Sequence, residues 1–160
     1  MKFGEYSVQE MVNFMNEMSK NERSKYHMTL GKLTTALLNI KENNVADADA
    51  RLVAEFSDGE QVRLGQFISY RGYYSDLAFE PVLEIEKGKP ESTIESILTQ
   101  CRIANRATFE GYKGGDFIMD EDTPLWIAEY GIDSGVAVMP EIFFDAGTNA
   151  YVLSTRDVSD

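Results

Sequence analysis

The spacing of the apolar residues changes along the chain, from a helical period in the amino-terminal part to short strand-like runs after Leu52. A capping-box pattern at residues 7–10 predicts a first helix, and Thr29 predicts the start of a second helix that ends at residues 43–44. Beyond Leu52, the pair Asp58-Gly59 predicts a β-hairpin, because both residue types tolerate a positive φ. Helices followed by strands, without regular alternation of the two, predict an α+β fold with a largely antiparallel β-sheet.

The second half of the chain adds one central helix and several strands to this prediction. A capping-box pattern at residues 92–95 predicts a helix that ends near Arg106 and packs on the sheet. No linker or repeat divides the sequence, so we expect residues 1–160 to form a single domain, in which the helical segment 7–42 faces the core or a partner chain. Strands are predicted at residues 52–56, 61–70, 77–83, 125–130, 136–139, 142–144 and 151–153.

Composition restricts the kind of chemistry that the chain can perform. The formal net charge of −12 argues against a basic groove for a nucleic acid polymer, and any phosphate site must therefore be locally basic. Cys101 is the only cysteine, which excludes an intramolecular disulfide and a zinc site made of paired thiolates. His27 is the only histidine, and nothing in the sequence supports serine–histidine chemistry through it. The apolar runs are too short to cross a membrane and the start does not resemble a signal peptide, so we expect a cytosolic protein.

Two segments, residues 70–76 and 109–116, combine aromatic rings, a cation and glycine. Arginine forks onto phosphate oxygens, aromatic rings stack on bases, and glycine lets the backbone approach a ligand closely. In the first segment Arg71 lies among three tyrosines, and in the second Lys113 follows Phe109 and precedes two glycines. The second segment lacks the spacing of a Walker loop. The segments predict either a site for a ligand with phosphate and base, or an aromatic cluster on the core and a tight turn.

Further charged residues lie near the second segment. Arg102 and Arg106 are one helical turn apart on the predicted central helix, where they form either a solvated face or a phosphate clamp. Asp116 and the acids at residues 120–122 are of the type that binds Mg²⁺ or Ca²⁺, but their spacing does not match an EF-hand loop. A solvated acidic turn is the favoured interpretation, and no catalytic dyad and no metal site are assigned.

Three ordered blocks of the sequence resemble a known family. The blocks are YRGYYSDLAFEP at residues 70–81, FEGYKGG at residues 109–115 and TPLWIA at residues 123–128, preceded by TLGKL at residues 29–33. Together they resemble a set of small bacteriophage proteins and the first class of Thoeris anti-defence proteins. This resemblance implies a non-enzymatic inhibitor of bacterial immunity, without a cofactor, that acts in the cytoplasm of the host bacterium.

The resemblance also implies a ligand and an assembly. Proteins of this class bind and sequester the cyclic ADP-ribose isomers (gcADPR) made by TIR enzymes, and some bind cyclic oligonucleotides at separate sites. They are homo-oligomers, in which the helical segment 7–42 would contribute to the interface of a nucleotide-binding domain. Such a protein works by stoichiometric capture and slow release, without turnover.

The resemblance implies roles for the residues in the matching blocks. Arg71 would contact pyrophosphate, Phe109 would stack on adenine, and Lys113 with the backbone of the adjoining glycines would meet phosphate. Asp116 would accept hydrogen bonds from ribose hydroxyl groups. The full set of expected ligand-binding residues is Arg71, Tyr73, Tyr74, Arg102, Arg106, Phe109, Lys113, Gly114, Gly115 and Asp116.

Two other functions remain open at the level of the sequence. The charge of −12 suits an acidic protein that imitates DNA, or that otherwise inhibits a host DNA-binding or defence factor. The acids between residues 116 and 122 suit a metal-dependent phosphoesterase. Conversion of a bound nucleotide would distinguish the enzyme from a sequestering protein.

Overall fold

The computed structural model describes residues 22–82, 91–111, 113–128 and 135–156. Its helices are α1 (Leu30–Asn43), the 3-10 helix η1 (Val45–Asp49) and α2 (Ile94–Ala104), and residues 22–26 are also helical. The strands are β1 (Arg51–Glu55), β2 (Gln61–Ser69), β3 (Leu77–Val82), β4 (Thr108–Glu110), β5 (Asp116–Ile118), β6 (Leu125–Ala128), β7 (Gly135–Asp145) and β8 (Ala150–Arg156). The predicted first helix, with its capping-box pattern at residues 7–10, lies outside the described residues.

Most of the strands close into one barrel in the order β1-β2-β3-β6-β7-β8. Four neighbouring pairs are antiparallel, while β3 pairs with β6 and β1 pairs with β8 in parallel. The predicted α+β class with a largely antiparallel sheet is therefore confirmed. Closure of the sheet pairs the outer strands with each other and leaves no open edge in the barrel. Strands β4 and β5 form a separate hairpin.

Helix α1 has the boundaries that the sequence predicts. The side chain of Thr29 accepts a hydrogen bond from the backbone N–H of Lys32 and caps the first turn. At the other end, the N–H of Asn44 donates to the carbonyl of Ile40. Leu33 has no exposed surface, and it joins the apolar core together with side chains from α2 and the barrel. The apolar residues that recur with a helical period at residues 30–43 thus form the face that packs on the barrel.

The cap of α2 differs from the prediction. Thr93, not Ser92, is the N-cap residue, and its reciprocal partner is Ser96 instead of Glu95. Ser92 is buried, where its hydroxyl donates to the carbonyl of Leu52 and accepts from the N–H of Leu64. Two serines and a threonine in one stretch offer alternative caps, and the tertiary contacts of Ser92 decide between them.

One strand replaces two of the predicted strands. The runs at residues 136–139 and 142–144 both belong to β7, which shifts its register against β8 between Val138 and Ile142. Pro140 lies within this irregular stretch, where the lack of a backbone N–H is tolerated. The predicted turn at Asp58-Gly59 is present between β1 and β2, and Gly59 has φ +89°. Among the described residues, no helix has the length and apolar character needed to cross a membrane.

Candidate functional site

The two aromatic-and-glycine segments contact each other within one chain. The rings of Tyr74 and Phe117 lie 5.9 Å apart between their centroids. A Cβ atom added at Gly111 would lie 2.8 Å from Cε2 of Phe117 and 3.4 Å from Cγ of Tyr74. The absence of a side chain at residue 111 therefore allows the rings to approach the backbone of the second segment. We call Tyr74, Gly111, Lys113 and Phe117 the aromatic surface.

The side chains of the β4–β5 hairpin lie on two opposite faces. Phe109 and Phe117 are direct cross-strand partners, and both pack against the apolar core while they remain partly accessible. Asp116 is paired with Glu110 on the ladder, and both side chains are exposed. Because successive residues of a strand point to opposite faces, Asp116 lies on the face that turns away from the two phenylalanines. Phe109 is thus close to the aromatic surface, and Asp116 is on the other side.

The loop that joins β4 and β5 is a tight turn with two glycines of positive φ. Gly114 has φ +93° and Gly115 has φ +85°. The N–H of Gly111 donates to the carbonyl of Gly115, and the N–H of Gly114 donates to the carbonyl of Gly111, each at 2.9 Å. Lys113 lies at the exposed tip. The loop is therefore a tight turn, and it also carries a cation next to two glycines. Both features that the sequence predicts for this segment are present.

The expected arginines have separate positions. Arg71 is exposed in the segment between β2 and β3 that also carries Tyr74. Arg102 is exposed in the last turn of α2. The prediction that Arg106 shares this helix is wrong, because α2 ends at Ala104 and Arg106 has φ +67°. The N–H of Arg106 donates to the carbonyl of Met119 at 2.7 Å, which ties the end of α2 to β5.

A buried carboxylate that the sequence reasoning did not single out lies at the end of the first segment. Asp76 has no exposed surface, and it accepts hydrogen bonds from Nε and Nη2 of Arg23 at 2.8 and 2.9 Å. The indole Nε1–H of Trp126 donates to the same carboxylate at 2.9 Å. Arg23 itself is only 8% exposed. The paired charges and the three donors satisfy a carboxylate that would otherwise be costly to bury.

Aromatic rings surround this ion pair. The rings of Tyr70 and Trp126 stack with centroids 4.4 Å apart, and the hydroxyl of Tyr70 accepts from the N–H of Gly135 at 2.9 Å. The guanidinium carbon of Arg23 lies 3.7 Å above the ring of Tyr73, a cation–π contact. The expected ligand residue Tyr73 therefore faces this cluster, whereas the adjacent Tyr74 faces the β4–β5 hairpin. We call Arg23, Tyr70, Tyr73, Asp76 and Trp126 the Asp76 cluster.

The acids at residues 120–122 form a turn of their own. The carboxylate of Asp120 accepts from the N–H of Asp122 at 2.9 Å, and the hydroxyl of Thr123 accepts from the N–H of Asp120 at 2.9 Å. In the part of the chain that the structure describes, no group of three or more His, Cys, Asp or Glu side chains is arranged to hold a metal ion. These local hydrogen bonds show that the acidic residues form a turn.

Burial explains the behaviour of the single thiol. Cys101 is fully buried on α2, and burial raises the pKa of its thiol to about 12. A thiol with such a pKa is protonated at neutral pH and is a poor nucleophile. Cys101 therefore serves as a small buried residue of the apolar core.

Comparisons with known proteins identify no relative. This chain matches no protein-family model, no curated protein and no solved structure. The assignment of a function therefore depends on the geometry described above and on the sequence blocks that carry the resemblance.

Proposed function

We propose that the protein captures a cyclic ADP-ribose-type nucleotide at the aromatic surface without cleaving it. The observation that carries this proposal is the contact of Tyr74 from the first segment with Gly111 of the second segment and with Phe117, the residue that follows it. Two segments that each bring a cation and aromatic rings thereby meet on one surface of one chain. The resemblance supports the biological role of an anti-defence protein that removes the signalling nucleotide of bacterial Thoeris immunity, as a homo-oligomer in the host cytoplasm.

The chemistry of the surface suits a compact ligand with bases and a pyrophosphate. Each base that stacks on an aromatic side chain contributes about 1–3 kcal/mol, and Tyr74 supplies a partly accessible ring. Lys113 at the tip of the hairpin and Arg71, three residues before Tyr74 in the sequence, are exposed cations in a chain of net charge −12. Phosphate attracts these local cations, although the field of the whole chain opposes an anion.

Recovery of the nucleotide after binding distinguishes capture from catalysis. The purified protein is mixed with cyclic ADP-ribose or its glycosidic isomer, and the melting temperature is measured by differential scanning fluorimetry. We expect the ligand to raise the melting temperature, because it binds the folded state alone. After heat denaturation, mass spectrometry should recover the nucleotide intact. Conversion to a product would indicate an enzyme instead, and the absence of a thermal shift with each isomer would contradict the proposal.

Substitutions on the aromatic surface test where capture takes place. Tyr74→Ala and Lys113→Gln should each weaken nucleotide affinity by about tenfold or more, as the loss of one stacked base or one charged hydrogen bond requires. Phe143→Ala removes an exposed ring from β7 and Lys25→Gln removes an exposed cation from residues 22–26, so they serve as matched controls. Isothermal titration calorimetry measures the four affinities. If Tyr74→Ala and Phe143→Ala bind the nucleotide with equal affinity, the nucleotide does not bind at the aromatic surface.

A further inference from the structure

The carboxy-terminal half of β7 extends past the part of the barrel that β6 closes. Strand β6 pairs with β7 at residues 135–137, and the backbone N–H of Met28 then donates to the carbonyl of Val138 at 2.7 Å. From Ile142 to Asp145, β7 pairs with β8 along one edge, and no described strand pairs with its other edge. This other edge therefore presents backbone N–H and C=O groups to a further strand. We call residues 141–145 the β7 edge.

Two neighbouring phenylalanines of the β7 edge are exposed. Phe143 is 43% exposed and Phe144 is 51% exposed, although phenylalanine is among the residues most often buried. They lie on opposite faces, because successive residues of a strand alternate. Phe144 contacts the ring of Tyr151, with centroids 5.2 Å apart, and Phe143 lies opposite Val152 on β8. Apolar surface on both faces, next to an open strand edge, favours the addition of another strand.

Both ends of the β7 edge carry an acid. Glu141 is exposed, and the carboxylate of Asp145 accepts from Nε2 of Gln61 at 3.1 Å and from the N–H of Gly147 at 2.9 Å. A carboxylate can accept about four hydrogen bonds, so Asp145 retains capacity for an external cation. No lysine or arginine occurs between residues 135 and 155 of the sequence. The β7 edge therefore complements a strand that carries cations at matching positions.

The same charges argue against a second copy of the β7 edge as the partner. In an antiparallel pair of β7 edges centred on Phe143, Glu141 of each copy would lie opposite Asp145 of the other. Two pairs of like charges would result, and like charges directly opposite each other destabilise a sheet. An assembly of copies through other surfaces is unaffected by this argument.

We propose that the β7 edge binds an extended segment of a partner protein, in which an apolar residue has lysine or arginine two positions away on each side. In antiparallel register, the apolar side chain lies opposite Phe143, and the two cations lie opposite Glu141 and Asp145. Backbone hydrogen bonds of the added strand supply affinity, and the facing side chains select its sequence. The β7 edge shares no residue with the aromatic surface, so this proposal does not depend on nucleotide capture.

Two synthetic pentapeptides with blocked ends test the charge complementarity. One has the sequence Lys-Val-Phe-Val-Lys, and the other has glutamate in place of both lysines. Amide shifts of the ¹⁵N-labelled protein are followed during titration at low ionic strength. We expect the lysine peptide to bind about tenfold more tightly, because two attractive cross-strand pairs replace two repulsive ones, and to shift residues 141–145 most. Equal affinities, no binding, or shifts confined to other residues would overturn the proposal.

Methylation of the peptide backbone distinguishes strand addition from charge attraction alone. Alternate N–H groups of an added strand face its neighbour, and the others face solvent. One lysine peptide is therefore methylated on both valine nitrogens, and another on the nitrogens of phenylalanine and the second lysine. We expect one of the two to bind about tenfold more weakly, since it loses two hydrogen bonds, and the other to retain its affinity within about twofold. Equal affinities of the two methylated peptides would contradict strand addition.

Substitutions in the protein test whether the peptide binds at the β7 edge. Phe143→Ala and Glu141→Gln should each weaken binding of the lysine peptide by about threefold or more, because each removes one cross-strand pair. Ile103→Ala removes an exposed apolar side chain from α2, and Glu110→Gln removes an exposed acid from β4, so both should bind as the unmodified protein does. Unchanged affinity in Phe143→Ala would overturn the assignment. A dimer in sedimentation velocity that Phe143→Ala dissociates would also overturn it, because a second copy would then occupy the edge.

Discussion

The Asp76 cluster and the aromatic surface each include residues of the same seven-residue segment, 70–76, but the two differ in burial. Tyr73 and Asp76 point into the cluster, where the ring contacts Arg23 and the carboxylate is fully buried. Arg71 is exposed, and Tyr74 turns to the β4–β5 hairpin. A cation and an aromatic ring that are close together in the sequence can therefore either stabilise the fold or bind a ligand. The comparison teaches that the face on which each residue lies, more than the residue type, separates the two roles.

The turn geometry of the segment produces this separation. The N–H of Tyr70 donates to the carbonyl of Asp76 at 2.9 Å, and the N–H of Asp76 donates to the carbonyl of Tyr73 at 2.8 Å. The hydroxyl of Ser69 donates to the carbonyl of Tyr74 at 2.7 Å. These bonds fold the segment into a closed loop between β2 and β3. Adjacent tyrosines are thereby held on opposite sides, one against the barrel end and one against the hairpin.

Removal of the buried carboxylate should have the largest effect on stability. Asp76→Ala removes the carboxylate that accepts hydrogen bonds from Nε and Nη2 of Arg23 and from Nε1–H of Trp126. Loss of one member of a buried ion pair costs about 3–5 kcal/mol. We expect the free energy of unfolding, measured by urea denaturation, to fall by about this amount.

An exposed ion pair provides the control for this substitution. Arg51 and Glu91 are 3.1 Å apart, with 37% and 51% of their side chains exposed. Surface pairs contribute about 0–1 kcal/mol, so Glu91→Ala should change the free energy of unfolding by less than about 1 kcal/mol. A similar small loss in Asp76→Ala would show that the buried cluster does not stabilise the fold more than a surface pair does.

The pH dependence of stability sharpens the comparison, because His27 packs on the Asp76 cluster. Its pKa is lowered from 6.5 to about 4 in the folded state, first by burial and then by neighbouring cations. Between pH 6.5 and pH 4 the unfolded chain therefore binds more protons at this group than the folded chain does. Stability should fall as the pH decreases through this window, with a slope of at most about 1.4 kcal/mol per pH unit from one group.

The variant His27→Gln isolates the contribution of this group from that of the carboxylates. Urea denaturation in chloride buffers at pH 7, 6 and 5 should give a smaller loss of stability on acidification for His27→Gln than for the unmodified protein. Identical slopes would mean that His27 is not held in its neutral form by the fold.

Local sequence patterns predict much of the fold, because helix caps and turns depend on interactions between residues that are close together in the sequence. Thr29 and Asn44 bound α1 as predicted, since capping depends on hydrogen bonds within one turn. Gly59 forms the predicted hairpin turn for a similar reason. The parallel pairing of β1 with β8 joins residues about one hundred positions apart, such as Val53 and Val152. Nothing in the local period of either strand specifies that partner, so the closure of the barrel was not predicted.

The candidate site was predictable in part for the same reason. The segment at residues 109–116 carries its glycines and lysine within one loop, and the structure forms that loop as a tight turn. Asp76 forms an ion pair with Arg23, which is 53 residues away in the sequence, so the buried ion pair has no local sequence signal. The burial of His27 likewise results from packing on Trp126. The local sequence signal for this buried acceptor is limited to an aspartate within a tyrosine-rich segment.

A pair of glycine substitutions distinguishes backbone strain from ligand capture, and its effect on stability should be the smallest. Gly59 and Gly114 have φ of +89° and +93°, and an added Cβ would meet no atom within 4 Å at either position. Each change to alanine should therefore cost about 1 kcal/mol through backbone strain alone. Gly114→Ala should also weaken nucleotide capture by about fivefold, because the strained turn carries Lys113, whereas Gly59→Ala should leave the affinity unchanged. Calorimetry with both variants measures this difference, and equal affinities would mean that capture does not depend on the conformation of the hairpin loop.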